Sequence, residues 1–329
     1  MEAAAKANSN IALIKYWGKR EKSLNLPAVG SISLTLAGLS TTTSVCFDNS
    51  LEDDQFSLNG DMIEGREKAR VSSFLDLIRE MSGKKSAAKV ASSNNFPTAA
   101  GLASSASAFA ALALAASKAA GLDLDKQELS VLARRGSGSA ARSIFGGFVE
   151  MFKGNREDGT DAAAVQIADK DFWDLRLLIA VTSTEKKKTS STSGMTLTRE
   201  TSPYYDVWID TAENDLAEMR TLIKNRDFQG AGELTEYSCL KMHALAMAGR
   251  PGLIYWNGTT LDVMRHIREM REDGTPVYFT VDAGPQVKAL CEPASVNKVK
   301  QSLLSFPGVE EVLETGLGGG AEIIEAVND

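Results

Sequence analysis

The chain has 329 residues, 43% apolar and 24% charged, a globular balance that is too long for one ordinary core and suits two domains of roughly 150 residues each. A formal net charge of -7 argues against nucleic acid or an anionic membrane as the main partner, yet allows a local basic pocket for phosphates. Cys46, Cys239 and Cys291 lack C-x-x-C spacing, and His243 and His266 are the only histidines, so a disulfide framework or metal centre is not expected and a reducing cytoplasm fits.

The first ten residues, M-E-A-A-A-K-A-N-S-N, have no long apolar core, so no secretory signal is expected. Residues 10–20, N-I-A-L-I-K-Y-W-G-K-R, form a short apolar strand that delivers Lys15, Tyr16 and Lys19 together. Alternation can turn Lys15 into a site while Ile14 packs behind it. Two ammonium groups and a phenol suit a diphosphate, although an edge strand with solvated lysines reads the same way. Residues 29–58 alternate Ile32, Leu34 and Leu36 with serine and threonine, then Val45 with Phe47, which predicts antiparallel strands. Asn59-Gly60 marks a turn, and Val71, Phe74, Leu75 and Ile78 predict a helix over 66–81.

Residues 95–106, N-F-P-T-A-A-G-L-A-S-S-A, combine a turn, small residues and two serines opening an alanine-rich helix that stops near Gly121. A helix N-terminus offers unpaired N–H groups and partial positive charge to phosphate oxygens. The same composition also serves a loop whose small residues only allow close packing. It matches neither G-x-x-x-x-G-K-[ST] nor G-x-G-x-x-G. The run over 103–116 is too short and too weakly apolar for a membrane span, and reads as a buried helix. Asp125 with Glu128 predicts a capping box for a helix over 126–134.

Residues 134–143, R-R-G-S-G-S-A-A-R-S, place Ser137, Ser139 and the Arg142 fork where a phosphate or carboxylate can be held, unless the loop is simply exposed. Residues 175–181 read as a buried strand. The stretch 186–193, K-K-K-T-S-S-T-S, can grip an anion but has the texture of a mobile, solvated loop. Helices are expected over 207–224, with Trp208, Ala212, Leu216, Met219 and Ile223 on one face, and over 227–246. Residues 277–285, V-Y-F-T-V-D-A-G-P, are a strand that ends on Asp282. That carboxylate can orient or deprotonate a hydroxyl, or can bond its own turn. The run 316–321, G-L-G-G-G-A, lacks the third fingerprint glycine, and His243 on a helix reads as packing or a surface residue rather than a ligand. The boundary between halves is placed near 184, with no internal repeat and no low-complexity linker, so the halves are expected to share a cleft.

Taken in this order, the motifs resemble the diphosphomevalonate decarboxylases of the GHMP small-molecule kinase superfamily, along essentially the whole chain. The superfamily loop reads P-x-x-x-G-L-x-S-S-A, which residues 97–106 match; Ala99, Ala100 and Ala103 are the decarboxylase variant. N-I-A-x-x-K-Y-W-G-K-R, the serine-arginine loop at 136–143 and F-T-V-D-A-G-P are specific to that family, with Val281 where many members have phenylalanine. The resemblance implies an α+β, two-domain GHMP-kinase fold: a ribosomal-protein-S5-like domain over 1–184 and a ferredoxin-like α+β domain over 185–329, around a central cleft. It implies ATP with Mg²⁺, no dedicated protein metal site, and a cytoplasmic homodimer. The implied reaction phosphorylates the 3-hydroxyl of (R)-5-diphosphomevalonate and then releases phosphate and CO₂ to give isopentenyl diphosphate, in isoprenoid biosynthesis.

Carried over by position, Asp282 and Lys15 are catalytic. Tyr16, Lys19, Ser137, Ser139 and Arg142 hold the diphosphate, and Ser191 lies near the substrate and γ-phosphate. Asn95, Pro97, Ala100, Gly101, Leu102, Ala103, Ser104 and Ser105 line ATP. Arg142 or Arg70 reaches the substrate carboxylate, and Thr192 stands where some bacterial members have arginine. The rival readings are a superfamily kinase that stops at phosphorylation, a decarboxylase for the monophosphate, and a silent metabolite sensor. Lys15 with Asp282 disfavours the first and third, and the diphosphate set disfavours the second.

Overall fold

In the computed structural model, residues 2–96, 104–185 and 188–325 are described. Strand β1 (Glu2–Ile14) runs the length of the first sheet. Its first half is rich in alanine, a helix former, yet it lies between two strands, and burial there overrides local propensity. A short hairpin, β2 (Lys19–Glu21) with β3 (Leu26–Pro27), follows, and then the 18-residue strand β4 (Ser31–Asp48). β1 and β4 pair antiparallel with irregularities between Asn8 and Asn10 and between Ala12 and Ile14. Such bulges bend a strand and re-aim side chains, and the second one immediately precedes Lys15.

β5 (Gln55–Leu58), β6 (Asp61–Met62), helix α1 (Arg66–Ser82) and β7 (Ala87–Asn94) complete one wing, with β7 pairing the distal half of β4. Helix α2 (Ser104–Ala120) is buried along nearly its whole length against β1 and β4, and small alanines permit that close approach. Helix α3 (Lys126–Gly136) starts at the expected Asp125–Glu128 capping box. The single turn α4 (Ala140–Ser143) and strands β8 (Phe148–Met151) and β9 (Ala164–Ala168) pack on the proximal half of β4.

A second, antiparallel sheet begins with β10 (Arg176–Val181). Helices α5 (Ser191–Thr201), α6 (Tyr205–Asn225), α7 (Phe228–Met247) and α8 (Gly258–Glu272) come next, followed by β11 (Val277–Val281) and β12 (Val287–Cys291). After a 3-10 turn come α9 (Val296–Leu304), β13 (Glu311–Thr315) and β14 (Glu322–Ile324). The sheet order is β11-β12-β10-β13, while β14 returns to pair β1 in the first sheet.

The two halves share an apolar core. Ile11, Leu13, Ile32 and Leu34 of the first sheet meet Leu177, Ile179 and Leu290 of the second, with Leu216 and Met219 of α6 between them. The fold is therefore α+β with two domains, as expected. No described helix is long and apolar enough to cross a membrane. The glycine run 316–321 is a backbone crossing. Gly318 N–H donates to the Thr35 carbonyl at 2.7 Å, and a Cβ on Gly146 would lie 2.7 Å from Gly320 N. One expectation needs correcting: the stretch 186–193 is not loop throughout, because α5 starts at Ser191, with the Ser190 side chain accepting from Ser193 N–H. A serine N-cap converts a polar run into a helix start.

Candidate active site

Lys15 leaves the bulged end of β1 and Asp282 leaves β11, and the two sheets bring them together. Lys15 Nζ donates to Asp282 Oδ1 at 2.6 Å; the lysine side chain is 1% exposed and the aspartate 25%. A second cation, Lys288 on β12, lies 3.7 Å from Asp282 Oδ2. Burial works to raise the Asp282 carboxyl, but the charges of Lys15 and Lys288, the Lys15 hydrogen bond and Arg142 outweigh it and hold the group at about 2. The carboxylate thus faces two ammonium groups rather than bonding its own turn. Lys288 escaped the sequence reading. Its signal was a lysine inside the apolar strand V-K-A-L-C, where a buried charge calls for a partner.

Arg142 projects from α4 and is buried. It donates to Ser31 Oγ at 2.6 Å and from two nitrogens to Asn10 Oδ1 at 3.0 and 3.3 Å. Those partners are neutral. Burial lowers its pKa to about 10, opposed by the Tyr16 phenol and Asp282, so the guanidinium remains charged near neutrality. Tyr16 lies 6.0 Å from that guanidinium, ring centroid to Cζ. Its hydroxyl is buried without a hydrogen-bond partner among the described residues, and burial pushes its pKa up, so it stays a donor. Ser137 Oγ sits 3.4 Å from Ser139 Oγ and 3.3 Å from Ser105 Oγ, joining the serine-arginine loop to the start of α2. Lys19, on β2, donates to Asn25 Oδ1. Desolvation, with the charge of Arg70, lowers its pKa to about 8. These groups are basic or hydrogen-bond donors, the chemistry an anionic phosphate requires, and Arg142 among them acts on Asp282.

Other expected residues fall differently. Asn95 is a structural clamp: its Oδ1 accepts from Ser40 N–H and its Nδ2 donates to the Gly38 carbonyl, both at 2.8 Å. Arg70 donates to the Gly136 carbonyl at 2.7 Å and stacks 4.4 Å from the Phe109 centroid. Its field acts on Lys19, whereas Arg142 is the arginine that acts on Asp282. Ser104 and Ser105 open α2, and Ser191 opens α5. Pro97, Ala100, Gly101, Leu102 and Ala103 lie outside the described residues, as does Lys186. Asn10 and Ser31, which hold Arg142, were not read as site residues, because a strand asparagine or serine looks like any polar residue until its neighbour is known. Of the two readings left for His243, the structure takes packing: the ring is buried and lies against Trp256 with centroids 4.4 Å apart. Among the described residues no three His, Cys, Asp or Glu side chains are grouped to hold a metal.

This geometry has close relatives. The family described as diphosphomevalonate decarboxylase-like N-terminal domain matches residues 7–164, and the mevalonate 5-diphosphate decarboxylase C-terminal domain matches 177–322. The diphosphomevalonate decarboxylase of Candida albicans is 37% identical over 97% of this chain and 97% of its own. The phosphomevalonate decarboxylase of Haloferax volcanii is 33% identical over 99% of this chain and 98% of its own. The solved structure of MDDEF in complex with MVAPP, AMPPCP and magnesium superposes with a TM-score of 0.93, at 41% identity over 99% of each chain. With both domain families matched in order and the Lys15–Asp282 pair formed across them, the chain belongs to the diphosphomevalonate decarboxylase family.

Proposed function

We propose that this protein converts (R)-5-diphosphomevalonate and ATP to isopentenyl diphosphate, ADP, phosphate and CO₂, serving isoprenoid biosynthesis. The observation that carries the reading is the Asp282 carboxylate, bracketed by Lys15 and Lys288, with the buried Arg142 acting on it as well. In this reading Tyr16, Lys19, Ser137, Ser139 and Arg142 hold the diphosphate, and the field of Arg142 extends to the substrate carboxylate. Ser104 and Ser105 meet the nucleotide phosphates at the α2 N-terminus, with Ser191 near the γ-phosphate. Arg70 acts through Lys19 and the Gly136 carbonyl. Magnesium arrives with ATP as part of the substrate, held largely by phosphate oxygens.

A tertiary hydroxide is a poor leaving group and phosphate a good one. A carboxylate held at about 2 is a weak base, so Asp282 first accepts the hydrogen bond of the 3-hydroxyl and aims its oxygen at the γ-phosphorus. The proton passes to Asp282 as the new P–O bond forms and the bond to ADP breaks, and Asp282 gives it up to solvent before the next turnover. Lys15 then faces the transferred phosphate. The C3–O bond breaks as phosphate leaves, the C1–C2 electron pair becomes the C2–C3 double bond, and CO₂ departs. Cations that meet charge only as it develops on the phosphate favour the transition state over the ground state.

Purified protein with MgATP and the diphosphate is expected to release one CO₂ and one isopentenyl diphosphate per ADP in a coupled assay with product analysis. ADP with a stable 3-phosphorylated product and no CO₂ would make it a kinase. The Haloferax relative motivates a parallel assay on the monophosphate, where kcat/KM is expected to be lower because Lys19 and Tyr16 lose their ligand. The proposed two-domain division, near residue 184, is supported by the second sheet's beginning with β10 (Arg176–Val181), which favours a boundary slightly earlier in the chain. Three free cysteines support a reducing cytoplasm. A homodimer follows from the resemblance and is tested by light scattering on the eluted protein.

A further inference from the structure

Strand β11 is the edge of its sheet, with β12 as its strand neighbour among the described residues. Every second residue of an edge strand turns its N–H and C=O to the open side. On β11 these are Val277, Phe279 and Val281, and helical side chains meet all three. Arg271 donates to the Val277 carbonyl at 2.8 Å, and Glu236 Oε1 accepts from Phe279 N–H at 3.1 Å. Cys239 Sγ accepts from Val281 N–H at 3.2 Å and donates to its carbonyl at 3.5 Å. His243 Nε2 also lies 3.2 Å from the Val281 carbonyl, but Trp256 Nε1 donates to the same nitrogen, which serves one of the two in any tautomer. The thiol has no such conflict. Burial raises its pKa, so it stays an S–H that donates with its hydrogen and accepts on sulfur.

The neighbouring residue, Ser238, is buried, and its Oγ accepts from Lys15 N–H at 2.9 Å. Adjacent positions on a helix point about 100° apart, so one turn of α7 reaches both sheets. Ser238 holds the end of β1 that carries Lys15, and Cys239 holds the residue before Asp282. The pair they anchor joins positions 267 residues apart, across two domains.

We propose that α7 is a positioning element of the reaction: Ser238 and Cys239 lock the backbones that carry Lys15 and Asp282 and so set the geometry of that pair. This rests on the catalytic reading of the pair given above. Both side chains are buried and spend their hydrogen bonds on backbone groups. A misplaced catalytic group costs turnover, while the diphosphate groups on α4 and the serine-arginine loop, Ser137, Ser139 and Arg142, are left alone.

The test measures kcat, KM and melting temperature for Ser238→Ala, Cys239→Ala and Cys239→Ser beside Asp282→Asn. Both alanine variants are expected to lose kcat by about tenfold to a hundredfold, with KM for the diphosphate within about twofold in Cys239→Ala, whose strand carries no diphosphate group. Cys239→Ser, which restores a donor and an acceptor, is expected to recover most of the loss even if it melts lower than Cys239→Ala. Wild-type kcat per folded molecule in both alanine variants, or serine no better than alanine, would overturn the proposal. If Cys239→Ala does not fold, Cys239→Val, which fills the site without polar pairing, carries the same comparison. An active Asp282→Asn would remove the reading of Asp282 itself, whereas an inactive Asp282→Asn with normal Ser238 and Cys239 variants removes only the role of α7.

Discussion

Asp282 carries opposite demands. In the proposed reaction it must stay ionised while partly buried, and it must still attract a hydroxyl proton. Lys15 and Lys288 meet the first demand by holding it at about 2, which makes it an orienting acceptor before it is a base. Asp282→Asn keeps the size and loses the charge; kcat is expected to fall by at least about a hundredfold, with nucleotide affinity largely kept, as measured by ADP release and nucleotide titration. Lys19 gives the pH signature. Burial and Arg70 bring it to about 8, so it is an ammonium below that pH and a neutral amine above it. KM for the diphosphate is therefore expected to rise by up to about tenfold per unit above pH 8, and a Lys19→Arg variant should lack that limb. The legible part at this scale was residue type and order: Lys15, Lys19, Arg142 and Asp282 stand out by charge, and Tyr16 by its place in the same motif. Lys288, Asn10, Ser31 and Ser238 do not, because their roles exist only through neighbours far away in sequence.

Elements explain why the loops have so few substitutable positions. Gly138 lies where a Cβ would sit 2.3 Å from the Tyr16 hydroxyl oxygen. A methyl group there pushes the phenol out of the anion pocket, so Gly138→Ala is expected to raise KM for the diphosphate by about tenfold with little change in melting temperature. Gly136 faces the Phe109 ring with a Cβ position 2.0 Å from the nearest carbon, at the contact of α2 and α3. Gly136→Ala is expected to destabilise the protein by about 1–3 kcal/mol in urea unfolding, the usual cost of overpacking. The helices α1, α2, α3, α6 and α7 were readable because their apolar period or capping box is local. The first half of β1, with its alanines, and the short strands β8, β12 and β13 were not, because a strand's identity depends on what it pairs with.

At the scale of the molecule, the shared apolar core makes the site one unit, and a buried histidine ties its stability to pH. His243 is buried, which lowers its pKa to about 3 against about 6.5 in the unfolded chain. A base with a depressed folded value leaves the unfolded state holding more protons, so stability is complete above about 6.5 and falls as pH drops towards 3. Between pH 7 and 5 the loss from this group is expected to reach about 2 kcal/mol, and His243→Gln should flatten that part of the melting-temperature profile. By itself the sequence determined the residue chemistry, the helix boundaries set by capping and periodicity, and, through the order of its motifs, the family. Only the tertiary structure decided that Lys288 shares Asp282 with Lys15, that Asn95 clamps a strand, and that Ser238 and Cys239 of α7 bond the backbones of Lys15 and Val281. Local rules act over a few residues, whereas a buried charge or a strand edge is satisfied by whatever the fold brings beside it, here across 267 positions of chain.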